Sequence, residues 1–306
     1  MDTRPVTTQT LAASVIAVPP LARHESLALN HAENKRIIRH LEAGGVRTLL
    51  YGGNAVLGHV ALSEYAELLA MLRDSAGPES LVIPSVGPSY GQMMDQANIL
   101  REFDFPTAML LPLKEGTTSA GIGIGLRRFV ARFGRPAVLY IKHDGAVDID
   151  TVRGLVGDGL ISWIKYAIVR SNPSDDAFLR QMIDAIGPQL IVSGMGEQPA
   201  VVHLRDFGLP GFTSGCVCVA PRLSMDLLRA ARAGEWTEAE RIRTVFQPLE
   251  SLRDAINPVR VLHAAVAAAG IADTGPLTPL LSPVSADARD KIAVAATRLL
   301  ELDSPA

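Results

Sequence analysis

The chain has 306 residues, 48% of them hydrophobic and 20% charged, which gives it the apolar material for a full core and excludes a disordered chain. Its formal net charge of −3 leaves no electrostatic footprint for nucleic acid or an anionic membrane. No apolar run approaches the roughly 18 residues of a membrane span, and the N-terminal segment lacks a basic start followed by a sustained apolar core, so the chain reads as soluble and unprocessed. Cys216 and Cys218 stand one residue apart, too close for an ordinary disulfide loop and too few for structural zinc, which suits a reducing, cytoplasmic setting.

A short apolar run followed by a longer amphipathic segment recurs along the first two thirds of the chain, the pattern of βα units on a parallel sheet. The runs predict strands over 12–18, 48–51, 81–85, 107–111, 137–141, 162–166, 190–193 and 211–216. Their starts lie 21 to 36 residues apart, room for one strand, one helix and two loops each, as a closed barrel of eight units requires. Between them, helical spacing of apolar residues predicts helices over 32–43, 62–74, 90–102, 120–133 and 175–186, with Ser63 and Ser174 read as capping residues. After Pro221 the strand signal stops. Helices are predicted over 224–233, 237–257, 258–269 and 286–302, with the Pro-containing stretch 270–284 as a linker. The reading is an α/β chain, a (β/α)8 TIM barrel over 1–221 with a C-terminal helical extension over 222–306.

In such a barrel the reactive groups sit at the C-terminal ends of the strands. The fifth strand ends Leu139-Tyr140-Ile141 and the sixth Ile164-Lys165-Tyr166. Adjacent strands about 4.8 Å apart would aim Tyr140 and Lys165 into one pocket. Desolvation lowers a lysine pKa and frees the amine that attacks a carbonyl to form a Schiff base, while a nearby tyrosine can relay protons. The plainer alternative is a Lys165 that snorkels to solvent and a Tyr140 that fills the barrel mouth.

Other candidates carry less. Gly121-Ile122-Gly123-Ile124-Gly125 has the wrong spacing and context for a dinucleotide loop and reads as a close-packing helix face. The seven histidines form no metal-ligand pair, only His203 with Asp206 having helical His-acid spacing, so no metal and no cofactor is expected. Cys216 and Cys218, alternating at the end of the eighth strand, would face the same way as buried free thiols or a reactive pair. The segment Ser193-Gly194-Met195-Gly196-Glu197 and the pair Thr213-Ser214 lie where barrels bind anions, Thr213 being the favoured substrate contact.

Taken in order, Gly45-Val46, Tyr51-Gly52-Gly53-Asn54, Pro84-Ser85-Val86-Gly87, Val138-Leu139-Tyr140, Trp163-Ile164-Lys165, Gly211-Phe212-Thr213-Ser214, Val219-Ala220-Pro221 and the run from Arg229 to Trp236 resemble the dihydrodipicolinate synthase and N-acetylneuraminate lyase superfamily of class I aldolases and dehydratases, over about 12–284. The resemblance implies that Lys165 forms the Schiff base with a 2-oxo acid, that Tyr140 is the proton relay, and that the loop Gly52, Gly53, Asn54 holds the substrate carboxylate. It also implies a homotetramer. The sequence departs from the family pattern at two places. The loop reads Gly52-Gly53-Asn54-Ala55-Val56, without the usual threonine hydroxyls and acid, leaving backbone N–H groups and the Asn54 amide as donors. Leu111-Pro112-Leu113 lacks the tyrosine that a neighbouring subunit lends in the synthase. After Tyr140, Ile141-Lys142-His143-Asp144-Gly145-Ala146-Val147 is more similar to the 5-dehydro-4-deoxyglucarate dehydratase branch, with Lys142 or His143 placed to meet a distal acidic group.

The expectation is therefore a Schiff-base-forming lyase, an aldolase or dehydratase, acting on a small 2-oxo acid such as pyruvate or a 2-keto-3-deoxy sugar acid. Its alternatives are a degraded relative that binds a metabolite without turnover, and a barrel that binds phosphorylated ligands near the seventh and eighth strands and forms no imine.

Overall fold

The structure, a computed structural model, describes residues 1–303. In chain order its elements are α1 (Thr8–Ala13), β1 (Ile16–Ala17), α2 (His31–Ala43), β2 (Thr48–Leu50), α3 (Leu62–Ser75), β3 (Leu81–Ile83), β4 (Ser85–Val86), α4 (Tyr90–Leu100), β5 (Met109–Leu110), α5 (Ser119–Phe133), β6 (Ala137–Ile141), α6 (Ile149–Gly157), β7 (Ile161–Tyr166), α7 (Ala177–Ile186), β8 (Ile191–Ser193), α8 (Ala200–Phe207), β9 (Thr213–Ser214), α9 (Pro221–Ala233), α10 (Trp236–Ala255), α11 (Pro258–Ala268) and α12 (Ala286–Asp303). The strands pair in the orders β3-β2-β1-β9 and β4-β5-β6-β7-β8, every pairing parallel. β3 and β4 are one stave interrupted at Pro84, which has no N–H to give the ladder. A parallel bridge from Ser193 to Phe212 joins β8 to β9 and closes the ring. The result is an eight-stave (β/α)8 barrel, its eighth unit completed by α9, followed by the three helices α10 to α12.

Strand alternation sorts the core into two layers. Ile16, Leu50, Ile83, Met109, Val138, Trp163 and Val192 fill the barrel interior, while Leu139, Ile141, Ile164 and Tyr166 face the surrounding helices. α1 plugs the N-terminal end, with Leu11 in the interior cluster.

Several local expectations differ from the structure. The first strand is only Ile16–Ala17, because Thr7 and Thr10 cap each other reciprocally and wind the preceding residues into α1. The last stave stops at Ser214, and Cys216–Cys218 form a 3₁₀ turn, so the two cysteines do not alternate along a strand. Both thiols are fully buried, and burial raises their pKa. Ser63 caps nothing, since α3 begins at Leu62 with Ala61 in the cap position, and Asp176 rather than Ser174 caps α7. α6 and α8, of 9 and 8 residues, are too short to announce themselves by periodicity.

Candidate functional site

β6 and β7 pair with Tyr140 opposite Lys165. Each stands two residues beyond an interior side chain, Val138 and Trp163, so the alternation that buries those two also turns Tyr140 and Lys165 to the inside, at the C-terminal end of the staves. Lys165 Nζ lies 4.7 Å from the centroid of the Tyr140 ring. Lys165 is only 5% exposed, and its pKa is pushed down to about 7 by burial first, then by the positive charges of Lys142 and Arg253. Every charge acting on it is a cation, which favours the free amine. Burial also pushes the Tyr140 phenol up to about 12, so it is a proton donor at neutral pH. Gly194, after β8, is what lets the backbone pass Lys165: a Cβ there would lie 2.6 Å from the Tyr166 carbonyl oxygen and 3.0 Å from Lys165 Cγ.

A cavity of about 640 Å³ opens on the Tyr140 side of the pair, between α4, α5 and the end of β6, with Tyr140 but not Lys165 in its wall beside Leu139, His143, Leu111, Tyr90 and Ile124. His143 faces it with its Nδ1 against the Asp144 carbonyl at 3.2 Å, and Lys142 is exposed. Arg170, which sequence reasoning did not single out, ties the loop after β6 to the one after β7 through Asp144, at 2.7 and 2.8 Å, and Asp176, at 3.1 Å.

The loop after β2 is built differently from the sequence expectation. Gly52 is buried, and a Cβ there would meet Met109 Cε at 2.7 Å and Ser85 Oγ at 3.1 Å. Gly53 is exposed and open. The Asn54 amide, expected to bind a carboxylate, donates instead to the Val18 carbonyl at 2.8 Å, and the Asn54 carbonyl accepts from His263 at 3.1 Å. The side-chain donor of this loop is spent on the fold. Val56 follows in the left-handed region at φ 53°, a strained conformation for a β-branched residue. Thr213 is buried at the start of β9, its carbonyl taking the Gly196 N–H at 3.0 Å. Ser85 and Trp163 also keep buried polar atoms without a protein partner inside the barrel.

Behind β8 and β9 lies a cluster of ionisable groups. Glu197, expected to contact substrate, is fully buried and accepts from Ser224 at 2.7 Å; burial first, then the Glu250 carboxylate, raises its pKa and holds it protonated at neutral pH. Glu250 accepts from Arg253 Nη1 at 3.0 Å, and the same nitrogen reaches Cys216 Sγ at 3.9 Å. Glu197, Cys216 and Glu250 place ligand-type atoms within 4.8 Å of one another. The Arg253 guanidinium already lies against two of the three, so the negative charge there is met by a cation of the chain itself. Glu250 and Arg253 went unnoticed in the sequence because an i,i+3 acid–base pair on a helix reads as a solvated surface. His203 bonds Ser193 Oγ at 2.8 Å instead of pairing with Asp206, and burial pushes its pKa down to about 4.

Eight parallel staves with a buried lysine at the mouth and three further helices behind α9 define a (β/α)8 barrel with a helical C-terminal extension. The chain belongs to the Dihydrodipicolinate synthetase family, which matches residues 13–299. Dihydrodipicolinate synthase from Bacillus clausii is similar at 19% identity over 94% of this chain and 97% of that one, with a TM-score of 0.81. The synthase from Agrobacterium tumefaciens gives 16% identity, 95% and 99% coverage and a TM-score of 0.85. Sialic acid aldolase from Ruminococcus gnavus gives 14%, 95%, 97% and 0.83. No curated protein matches the chain. Among the described residues no helix is long and apolar enough to cross a membrane.

Proposed function

We propose that the chain is a Schiff-base-forming lyase that acts on a 2-oxo acid. The observation that carries this is the buried Lys165 amine, brought to a pKa of about 7 directly over Tyr140 at the barrel mouth. A charged lysine at that place would cost several kcal/mol with no acid to repay it; a neutral one is a nucleophile.

Lys165 Nζ adds to the C2 carbonyl, the carbinolamine loses its oxygen as water, and the protonated imine draws electrons from the neighbouring carbon. That sink serves cleavage or formation of a carbon–carbon bond and expulsion of a hydroxyl as water alike. Tyr140, protonated at neutral pH, gives a proton to the departing oxygen and takes it back at the next step. The stretch from Tyr140 to Val147, similar to the dehydratase branch, favours 2-keto-3-deoxy sugar acids beside pyruvate as substrates. Assembly as a homotetramer belongs to the same reading, with the exposed apolar Tyr90, Leu113 and Ile124 at the cavity rim as the surface a second subunit would cover.

The test is borohydride trapping with pyruvate and a panel of 2-keto-3-deoxy sugar acids, read by intact-mass and peptide mass spectrometry on the wild type and Lys165→Ala. A reduced adduct confined to Lys165 supports the lyase. No adduct with any keto acid, in folded protein, leaves the loop after β2 as the mark of a chain that binds without turnover.

A further inference from the structure

Resting on the Schiff-base reading, we propose that Arg253, from α10 in the C-terminal helices, is the residue that recognises the acid group of the substrate.

The loop after β2 has lost its hydroxyl donors and has committed the Asn54 amide to Val18, so only backbone N–H groups are left there to face a carboxylate. The missing side-chain donor stands beside it. A Cβ on Gly215 would lie 2.7 Å from Arg253 Nη2 and 3.0 Å from Asn54 Nδ2, so the guanidinium and Asn54 flank the same bare backbone, just past the C-terminal end of β9. Any residue but glycine at 215 would push the two apart.

Arg253 is 9% exposed, a burial that a cation tolerates only when it is fixed and paired. Glu250 supplies that through Nη1. The other terminal nitrogen, Nη2, has no hydrogen-bond partner among the described residues and is absent from the fully enclosed orphan atoms, so it keeps solvent-sized space in front of it. A guanidinium has five donors in a planar fork and can hold one carboxylate on one edge while offering the other edge to a second. Glu250 takes Nη1 and the Pro258 carbonyl takes Nε at 3.5 Å, which leaves the Nη2 hydrogens for a second acid; Glu197, held protonated, adds no competing charge. Gly215, against which Arg253 packs, follows β9 directly, and Lys165 stands near the end of β7, so both lie at the C-terminal end of the barrel. A purely structural Arg253, present only to neutralise Glu250, would have no reason to leave Nη2 free or to require glycine at 215.

The experiment compares reductive trapping of pyruvate with that of its neutral methyl ester, in the wild type, Arg253→Gln and Arg253→Lys. With trapping carried out at about pH 9, above the Lys165 inflection, so that loss of a nearby cation changes the free-amine fraction little, the expected result is a rise of about tenfold or more in the half-saturating pyruvate concentration in Arg253→Gln, little change for the ester, and partial recovery in Arg253→Lys. Equal weakening of acid and ester, or no change in either, overturns the proposal. If Arg253→Gln alone does not fold because Glu250 is stranded, the double variant Glu250→Gln with Arg253→Gln removes both charges and must show the same acid-specific loss. Failure of the parent reading looks different: the wild type then forms no adduct at Lys165 with either compound.

Discussion

Imine formation should accelerate with pH through an inflection near 7. Burial, Lys142 and Arg253 together bring Lys165 from 10.5 to about 7. At pH 7 about half of the molecules then carry a free amine, against roughly one in three thousand for an ordinary lysine, a gain in nucleophile of about a thousandfold or roughly 4 kcal/mol. Because Lys142 is exposed and acts by its charge, Lys142→Ala should move the inflection upward while leaving the fold intact, and added salt should do the same more weakly. The assay is the rate of cyanoborohydride-trapped adduct at low pyruvate between pH 5.5 and 10, followed by mass spectrometry. An inflection near 10 would mean that the barrel mouth does not desolvate the amine, and the chemical argument built on its burial would fall.

Three further outcomes follow from the same geometry. Lys165→Met should stabilise the protein at neutral pH: the unfolded chain binds more protons than the native one between about pH 7 and 10.5, so wild-type stability rises with pH over that window, and the variant's advantage, about 4 kcal/mol at pH 7, should fade as the pH approaches 10.5 in urea denaturation. Tyr140→Phe should keep the trapped adduct with pyruvate but slow turnover about a hundredfold or more, since the proton relay and not the nucleophile is removed; equal loss of trapping and turnover would assign Tyr140 to packing. Glu197→Gln should gain on the wild type as pH rises from 5 to 9, because a carboxyl whose native pKa is raised binds more protons folded than unfolded above 4.5 and loses that contribution as it ionises; thermal melts at three pH values read the trend.

How much of this was legible in the sequence depends on the range of the contacts involved. β6 and β7 were readable almost residue for residue, because near-continuous apolar runs of five or six residues, buried on both faces, fit the wall of a parallel barrel. That Tyr140 and Lys165 stand side by side follows from their places near the ends of adjacent strands, and the register pairs them directly. Staves of two or three paired residues, such as β1 and β9, were overextended, as the apolar run outlasts the ladder it feeds. The barrel's eightfold count survived these errors because it rests on the spacing between units and not on their ends.

The chemistry around the lysine is a different matter. Asn54 looked like a carboxylate donor because its type and position fit, yet the Val18 carbonyl at the end of β1, 36 residues away, takes its amide first. Glu250 and Arg253 give no sequence signal, since an i,i+3 acid–base pair on a helix is common on a solvated face, and only the packing of α10 onto the turn at Cys216 buries them. The misreading and the omission share one cause: a side chain's donors belong to whichever acceptor the tertiary fold brings nearest, and local pattern ranks candidates without knowing who competes for them. The two are also linked, since the same glycine at 215 admits the amide on one side and the guanidinium on the other. A loop that loses its threonines and spends its amide on the fold can still serve an acid substrate if a cation arrives from the helices behind it. On the proposal made for Arg253 the C-terminal helices bear on the site and not only on the barrel's outer wall, and Gly215→Ala, which leaves every charged residue in place, should weaken pyruvate trapping as Arg253→Gln does.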